Sequence, residues 1–219
     1  MPSFNFELAR SNMILQQIRP WEVLNQDVLQ IMADVPREKF VPPGMERLAF
    51  SDIELPLGSG EYMMAPKIEA RLLQALNLRG DDHALEIGTG SGFLTACLAR
   101  LAAQVDSVEI HETLLRAAEQ RLQSTGTTNV QLQLGDAAHG WGACEYDAIA
   151  VTGSLPEYDP CFERLLKSGG RLFIVVGKAP VMEALLVTRI GHNRYDRTAL
   201  FETSLKPLVG REPQPEFVF

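Results

Sequence analysis

Hydrophobic positions recur along this chain with two different periods, and the change between them divides it. In residues 1–50, Leu8, Met13, Ile14 and Ile18 suggest one helical stripe that Pro20 closes. Asp27 can cap a short helix carrying Leu29, Ile31 and Met32, before the three prolines of VPREKFVPP (35–43) interrupt it. Pro66 suits the first position of a helix, and Ile68, Leu72, Leu73 and Leu76 follow at helical spacing.

From His83 onward short apolar runs take over. ALEIG (84–88), VDSVEI (105–110), VQLQL (130–134), YDAIAV (146–151) and RLFIVV (171–176) read as strands. One helix through Cys97 and Leu101 and another through Leu114, Leu115, Ala118 and Leu122 separate the first three. Such alternation predicts right-handed βαβ units: an α/β fold with a doubly wound, mostly parallel sheet and a helical N-terminal arm. MEALLVTRI (182–190) and YDRTALFET (195–203) predict an antiparallel pair at the sheet edge. The proline-interrupted REPQPEFVF (211–219) predicts a loosely held tail. We expect one domain over 1–219: arm and substrate loop to residue 65, cofactor core over 66–205, tail over 206–219.

Length and composition narrow the classes. A chain of 219 residues that is 46% hydrophobic can bury a substantial core. A formal net charge of −8 argues against a nucleic-acid partner, which needs a basic face. No apolar run approaches the roughly 20 residues of a membrane span, and the N-terminus lacks a signal-peptide core, so no membrane association is expected. Cys97, Cys144 and Cys161 are odd in number and far apart, which fits reduced thiols in a cytoplasm. The four histidines are equally scattered, so no metal is expected.

The strongest chemical signal is LEIGTGSGFL (85–94), between a strand and a helix. Its glycines let backbone approach a ligand closely, and the helix start behind them offers free N–H groups to an anion. Glu109 ends the next strand about 20 residues on, where a carboxylate can take ribose hydroxyls. Asp136 ends the strand after that, placed for an adenine amino group. A glycine-rich turn beside unrelated acids, or an NAD site, stays open on spacing alone.

Glu86 to Gly92 match E-x-G-x-G-x-G in full, so the unit resembles class I S-adenosylmethionine-dependent methyltransferases. A closer resemblance covers nearly the whole chain. NMILQQIRP (12–20), VPREKFVP (35–42), LPLG (55–58), LEIGTGSG, GDAAHGW (135–141) and DAIAVTG (147–153) are similar to the protein-L-isoaspartate O-methyltransferase family. That resemblance implies S-adenosylmethionine as cofactor and, as acceptor, the stray protein or peptide carboxylate formed when asparagine or aspartate rearranges, hence protein repair. It implies Glu109 on the ribose, Asp136 and Ala137 on the adenine edge, and Glu86, Gly88, Thr89, Gly90 and Gly92 at the amino-acid end. KPLVG (206–210) lies where relatives place a segment that touches the peptide.

One stretch departs from the pattern. Where the family loop reads close to G-Q-T-I-S-x-P, this chain has GEYMMAP (60–66). The serine that holds the acceptor carboxylate falls on Met64 and the threonine on Tyr62, so no catalytic residue is assigned. Tyr62, Met63 and Met64 are the substrate-facing candidates, with core packing the alternative for both methionines. Two other functions stay open: methyl transfer to a more apolar acceptor, or cofactor binding without transfer. Glu61 reads as a solvated charge, Lys67 as an exposed helix start and His139 as a surface residue. Trp141 and Cys97 read as packed, and Trp21 stands beside the position where relatives have glycine, which suggests an arm that closes differently.

Overall fold

The computed structural model describes residues 4–213. Helix α1 (Phe6–Met13) starts at Asn5, whose side chain accepts from Leu8 N at 3.0 Å. It runs on through a π turn (Ile14–Ile18) and a 3₁₀ turn (Arg19–Trp21). Met13 and Ile18 are buried as the stripe requires, but Leu8 is 57% exposed. Five residues advance an α-helix by about 500°, which turns Leu8 some 140° away from Met13. Helix α2 (Gln26–Asp34) is capped by Asn25 rather than Asp27: the Asn25 side chain accepts from Asp27 N and Val28 N. Asp27 instead sits in the first turn, where the helix dipole favours a carboxylate.

A small hairpin, β1 (Leu55–Gly58) and β2 (Glu61–Met63), leads into α3 (Pro66–Leu76), with Pro66 at its first position. Then come β3 (His83–Ile87), α4 (Phe93–Leu101), β4 (Gln104–Glu109), α5 (Glu112–Ser124) and β5 (Val130–Leu134). The chain finishes with β6 (Tyr146–Leu155), β7 (Leu166–Lys178), β8 (Val181–Gly191) and β9 (Arg194–Thr203). The seven-stranded sheet has the order β5-β4-β3-β6-β7-β8-β9. Strands β3 to β7 are parallel, β8 is antiparallel to β7 and β9 antiparallel to β8, so the predicted edge pair is present.

Side chains alternate across the sheet and build two apolar layers. Along β7, Phe173 and Val175 join the arm, α3 and α4 in the larger layer, while Leu172 and Ile174 join the smaller one with Tyr146 and Phe162. The connections from β5 to β6 and from β6 to β7 depart from the helix-strand alternation. Glycines 135, 140 and 142 and prolines 156 and 160 break them, leaving loops and one 3₁₀ turn (Glu163–Leu165) over that face.

The expected loose tail falls largely on residues 214–219, outside the described residues. Arg211, at its start, is held: its guanidinium donates to Asp159 Oδ2 at 2.8 Å and lies 2.7 Å from His139 Nδ1.

A buried ion pair ties the arm to the rest. Arg37 is 0% exposed and pairs with Glu69 of α3, which is 2% exposed. The same guanidinium donates to Ala49 O at 2.8 Å and to Met64 O at 2.7 Å, and lies over the Phe93 ring. Burial pushes the Glu69 carboxyl up and the guanidinium pulls it back, with a net rise. The guanidinium thus ties Met64, the residue after β2, to α3 and to Phe93 at the start of α4.

Candidate active site

In an open parallel sheet, ligands bind beyond the carboxyl ends of the strands where the winding reverses. Here that point lies between β3 and β6, where their pairing stops and Gly88 and Thr152 follow the last pair, Ile87 and Val151. The Thr152 hydroxyl lies 2.8 Å from Ile87 O and 2.9 Å from Gly88 O, closing the strand end. A Cβ on Gly88 would stand 2.3 Å from that hydroxyl, and φ there is +94°. Glycine is therefore required at 88 for both space and backbone conformation.

Glu109, at the end of β4, is 4% exposed. Its Oε2 accepts from Gly90 N at 2.8 Å and its Oε1 from His111 N at 3.0 Å. The carboxylate thus braces the glycine loop and keeps lone pairs for a ligand. Gly88 N and Thr89 N donate to Val108 O, and the Thr89 hydroxyl lies 2.7 Å from Ser107 Oγ. Thr89 spends its side chain inside the protein.

Beneath the loop, Glu86 is fully buried. Its Oε2 accepts from Thr95 Oγ1 and Ser107 Oγ, each at 2.5 Å, while Oε1 has no partner. Burial pushes this carboxyl up to about 8, against the two hydroxyl bonds and helped by the charges of Glu109 and Glu69. Glu86 lines a small inner recess with Gly88, Thr89, Gly90, Met64 and Thr152. An acceptor atom left without a donor in such a recess suits a ligand ammonium.

The main cleft opens above this recess. Gly88, Gly90, Glu109, Asp136, Ala137 and Thr152 line one side of it, and Tyr62, Met64 and Glu61 the other. Ala137 is buried, whereas Asp136 is exposed and accepts from Ala138 N at 2.9 Å. The Trp141 ring packs against Gly135, where a Cβ would come within 2.4 Å of it.

Three of the singled-out residues stand apart from the cleft wall or from their first reading. Gly92 lines neither cavity: its missing Cβ would meet Ala118 at 3.2 Å, so it lets α4 approach α5. Met63 is 3% exposed, packs in the larger core layer and reaches only the inner recess, because strand alternation turns it opposite to Tyr62. Glu61 is no solvated charge. Its carboxylate stands 2.5 Å from Lys206 Nζ and 3.4 Å from His111 Nε2 at the mouth of the cleft. Met64 is 7% exposed, belongs to the larger core layer and also lines the cleft with Tyr62. Lys67 is half-buried, paired with Asp52 at 2.7 Å and set over the Trp21 ring at 4.2 Å.

Sequence reasoning missed Arg37, Thr152 and His111, and named Lys206 only as part of KPLVG (206–210). Glu69 carried a legible signal for Arg37, since it stands within the apolar stripe of α3 and a carboxylate there needs a cation. The other three are single residues whose meaning depends on distant partners.

No helix among the described residues is long and apolar enough to cross a membrane. The sheet order, the glycine loop at the switch point and the carboxylate at the end of β4 define a class I S-adenosylmethionine-dependent methyltransferase fold. Residues 9–213 match the family model for protein-L-isoaspartate(D-aspartate) O-methyltransferase, and the chain belongs to that family. It is 36% identical to a protein-L-isoaspartate O-methyltransferase of Brucella anthropi, covering 97% of this chain and 98% of that one. It is 41% identical to protein-L-isoaspartate O-methyltransferase 2 of Pelobacter propionicus, with 95% and 93% covered. Its fold superposes on a Plasmodium falciparum beta-aspartate methyltransferase crystallised with S-adenosyl-L-homocysteine. That match has a TM-score of 0.77 at 20% identity and covers 94% of this chain and 99% of the other.

Proposed function

We propose that the chain methylates the carboxylate of isoaspartyl residues in proteins or peptides, with S-adenosylmethionine as donor, as a protein-repair enzyme. The observation that carries this reading is the membership over residues 9–213, which takes in the arm and its loop as well as the cofactor half. A bare cofactor-binding protein or an unrelated methyltransferase would need only the middle of the chain.

The residues present fit the cofactor. Glu109 keeps free lone pairs beside Gly90 for ribose hydroxyls, Asp136 and Ala137 stand at the outer end for the adenine edge, and the lone Oε1 of Glu86 awaits an ammonium. Gly88 and Gly90 admit the ligand without a side chain in the way. When bound, S-adenosylmethionine supplies a sulfonium methyl group that passes to a carboxylate oxygen, forming the methyl ester and leaving a neutral thioether.

This chain's share of the chemistry is placement. A carboxylate with a pKa near 4 is already ionised at pH 7, so no side chain has to remove a proton. Tyr62 and Met64 wall the acceptor side, and Arg37 holds the Met64 carbonyl so that the wall keeps its distance from the glycine loop. We place the enzyme in a cytoplasm, on the three free cysteines. We read residues 1–65 as arm and acceptor loop, 66–205 as cofactor core and 206–219 as tail, all one domain. Incubation with labelled S-adenosylmethionine and an isoaspartyl peptide tests the activity: base-labile label accumulating on the peptide over many turnovers is expected. Binding of the cofactor without transfer to any peptide would sink it.

A further inference from the structure

The cleft as a whole presents a charge problem. Four carboxylates line it, from Glu54, Glu61, Glu109 and Asp136. Against them, Lys206 is the one lysine or arginine among the described lining residues. An acceptor that is itself a carboxylate must enter this field, and Met64 offers it no donor. Lys206 is well placed to supply one. Its backbone is pinned to β6: Ser154 N donates to Lys206 O at 2.9 Å, Leu208 N donates to Ser154 O at 3.0 Å, and Ser154 Oγ donates to Leu205 O at 2.8 Å. From that fixed base its side chain spans the mouth to the hairpin tip, donating to Gly60 O at 3.1 Å and to Glu61 Oε1 at 2.5 Å.

Resting on the isoaspartyl reading, we propose that Lys206 is the group that holds the acceptor carboxylate, and that Glu61 occupies its ammonium until the acceptor arrives. The Glu61 carboxylate accepts from Lys206 Nζ and lies 3.4 Å from His111 Nε2, which has no hydrogen-bond partner among the described residues, so an incoming carboxylate finds the lysine and an unused imidazole nitrogen at the same place. The exchange is feasible because the pair is partly open to solvent, with side-chain exposures of 37% and 22%. Ion pairs of that kind contribute little to stability, so an acceptor with the same charge can take over the lysine. The arrangement also discriminates: an acceptor lacking the negative charge leaves Glu61 in place and the mouth shut.

The test measures binding of an isoaspartyl peptide, and of the same peptide with its side-chain carboxylate converted to the carboxamide, to the full chain saturated with S-adenosylhomocysteine. The wild type should favour the carboxylate at least tenfold. Lys206→Met should abolish that preference while leaving S-adenosylhomocysteine affinity within twofold, and Lys206→Arg should retain it. Glu61→Gln should tighten the carboxylate peptide several-fold, because its competitor is gone. A preference that survives Lys206→Met overturns the proposal, as does a Glu61→Gln protein that binds the peptide no better than wild type. Since these are binding readouts, a Lys206-dependent preference without methyl transfer removes only the enzymatic reading. Transfer that ignores Lys206 removes only this inference.

Discussion

On the glycine-loop side of the cleft, Glu109 grips the amides of Gly90 and His111, Thr152 closes the end of β3, and Glu86 is buried beneath. On the arm side, Tyr62 is 52% exposed and the contact across the mouth is a partly solvated lysine–glutamate pair. The first side is fixed by bonds from side chains to backbone within the sheet. The second is carried on a hairpin, held by the buried Arg37 guanidinium and by Leu55, Met63 and Met64 in the core. A donor of constant shape suits the first construction, and acceptors that differ in sequence around one carboxylate suit the second. Rigidity is concentrated where the ligand never varies.

The contrast breaks most sharply at Arg37. Arg37→Met strands Glu69 in the core, and losing one partner of a buried pair costs about 3–5 kcal/mol. Thermal unfolding should show it, with the loss larger at pH 8.5 than at pH 6. Stranded Glu69 has a folded pKa above its unfolded value, so the folded state holds a proton that it gives up at a cost as pH rises. Adding Glu69→Leu should recover part of the loss. A Tm unchanged in Arg37→Met would show that the arm is held by something else.

Next comes the rigid side. Gly88→Ala places a Cβ against the Thr152 hydroxyl in a backbone conformation that side chains rarely adopt. S-adenosylhomocysteine affinity, read by calorimetry, should fall at least a hundredfold, about 2.7 kcal/mol. Thr152→Ala in the same chain should restore only the steric part. Full affinity in a folded Gly88→Ala protein would move the cofactor elsewhere.

On the adaptable side, Met64→Ser should raise isoaspartyl-peptide turnover about tenfold to a hundredfold and leave cofactor affinity alone. That range is the worth of one hydrogen bond to a charged group, about 1.5–3 kcal/mol. Because Arg37 holds the residue 64 carbonyl, the loop should not move. If the change instead lowers Tm by several degrees and leaves turnover flat, Met64 serves packing alone.

The smallest effect is a proton. The Glu86 carboxyl is raised to about 8 by burial, and a bound ammonium lowers it. Binding below that pH therefore expels a fraction of a proton, and affinity should climb with pH up to about 8 and then level. Calorimetry in phosphate and in Tris separates the proton from the intrinsic heat. Glu86→Gln should abolish the buffer dependence; an unaltered dependence would clear Glu86 of any ligand role.

Much of this was written locally in the sequence. The glycine loop, the strand that ends at Glu109 and the hairpin of β8 and β9 follow from short-range pattern, since turn chemistry and alternation are properties of neighbours. The misreadings share a different cause. Asn25 and Asp27 are both good caps, and only the path of the chain before α2 chooses between them. Glu61 looked solvated because its partners, His111 and Lys206, lie 50 and 145 positions away. Met63 and Met64 are adjacent and chemically identical, yet Met63 joins the core layer while Met64 also lines the cleft.

Arg37 takes hold of the carbonyl of Met64, not its side chain. Every amino acid carries that carbonyl, so the hairpin is fastened in part by a handle that substitution cannot remove. Loops from relatives that keep apolar residues at 63 and 64, where Met63 and Met64 are buried, should therefore dock between Leu57 and Ala65 and bring new side chains to the same place. The protein is in this respect a socket, and its acceptor preference an interchangeable part.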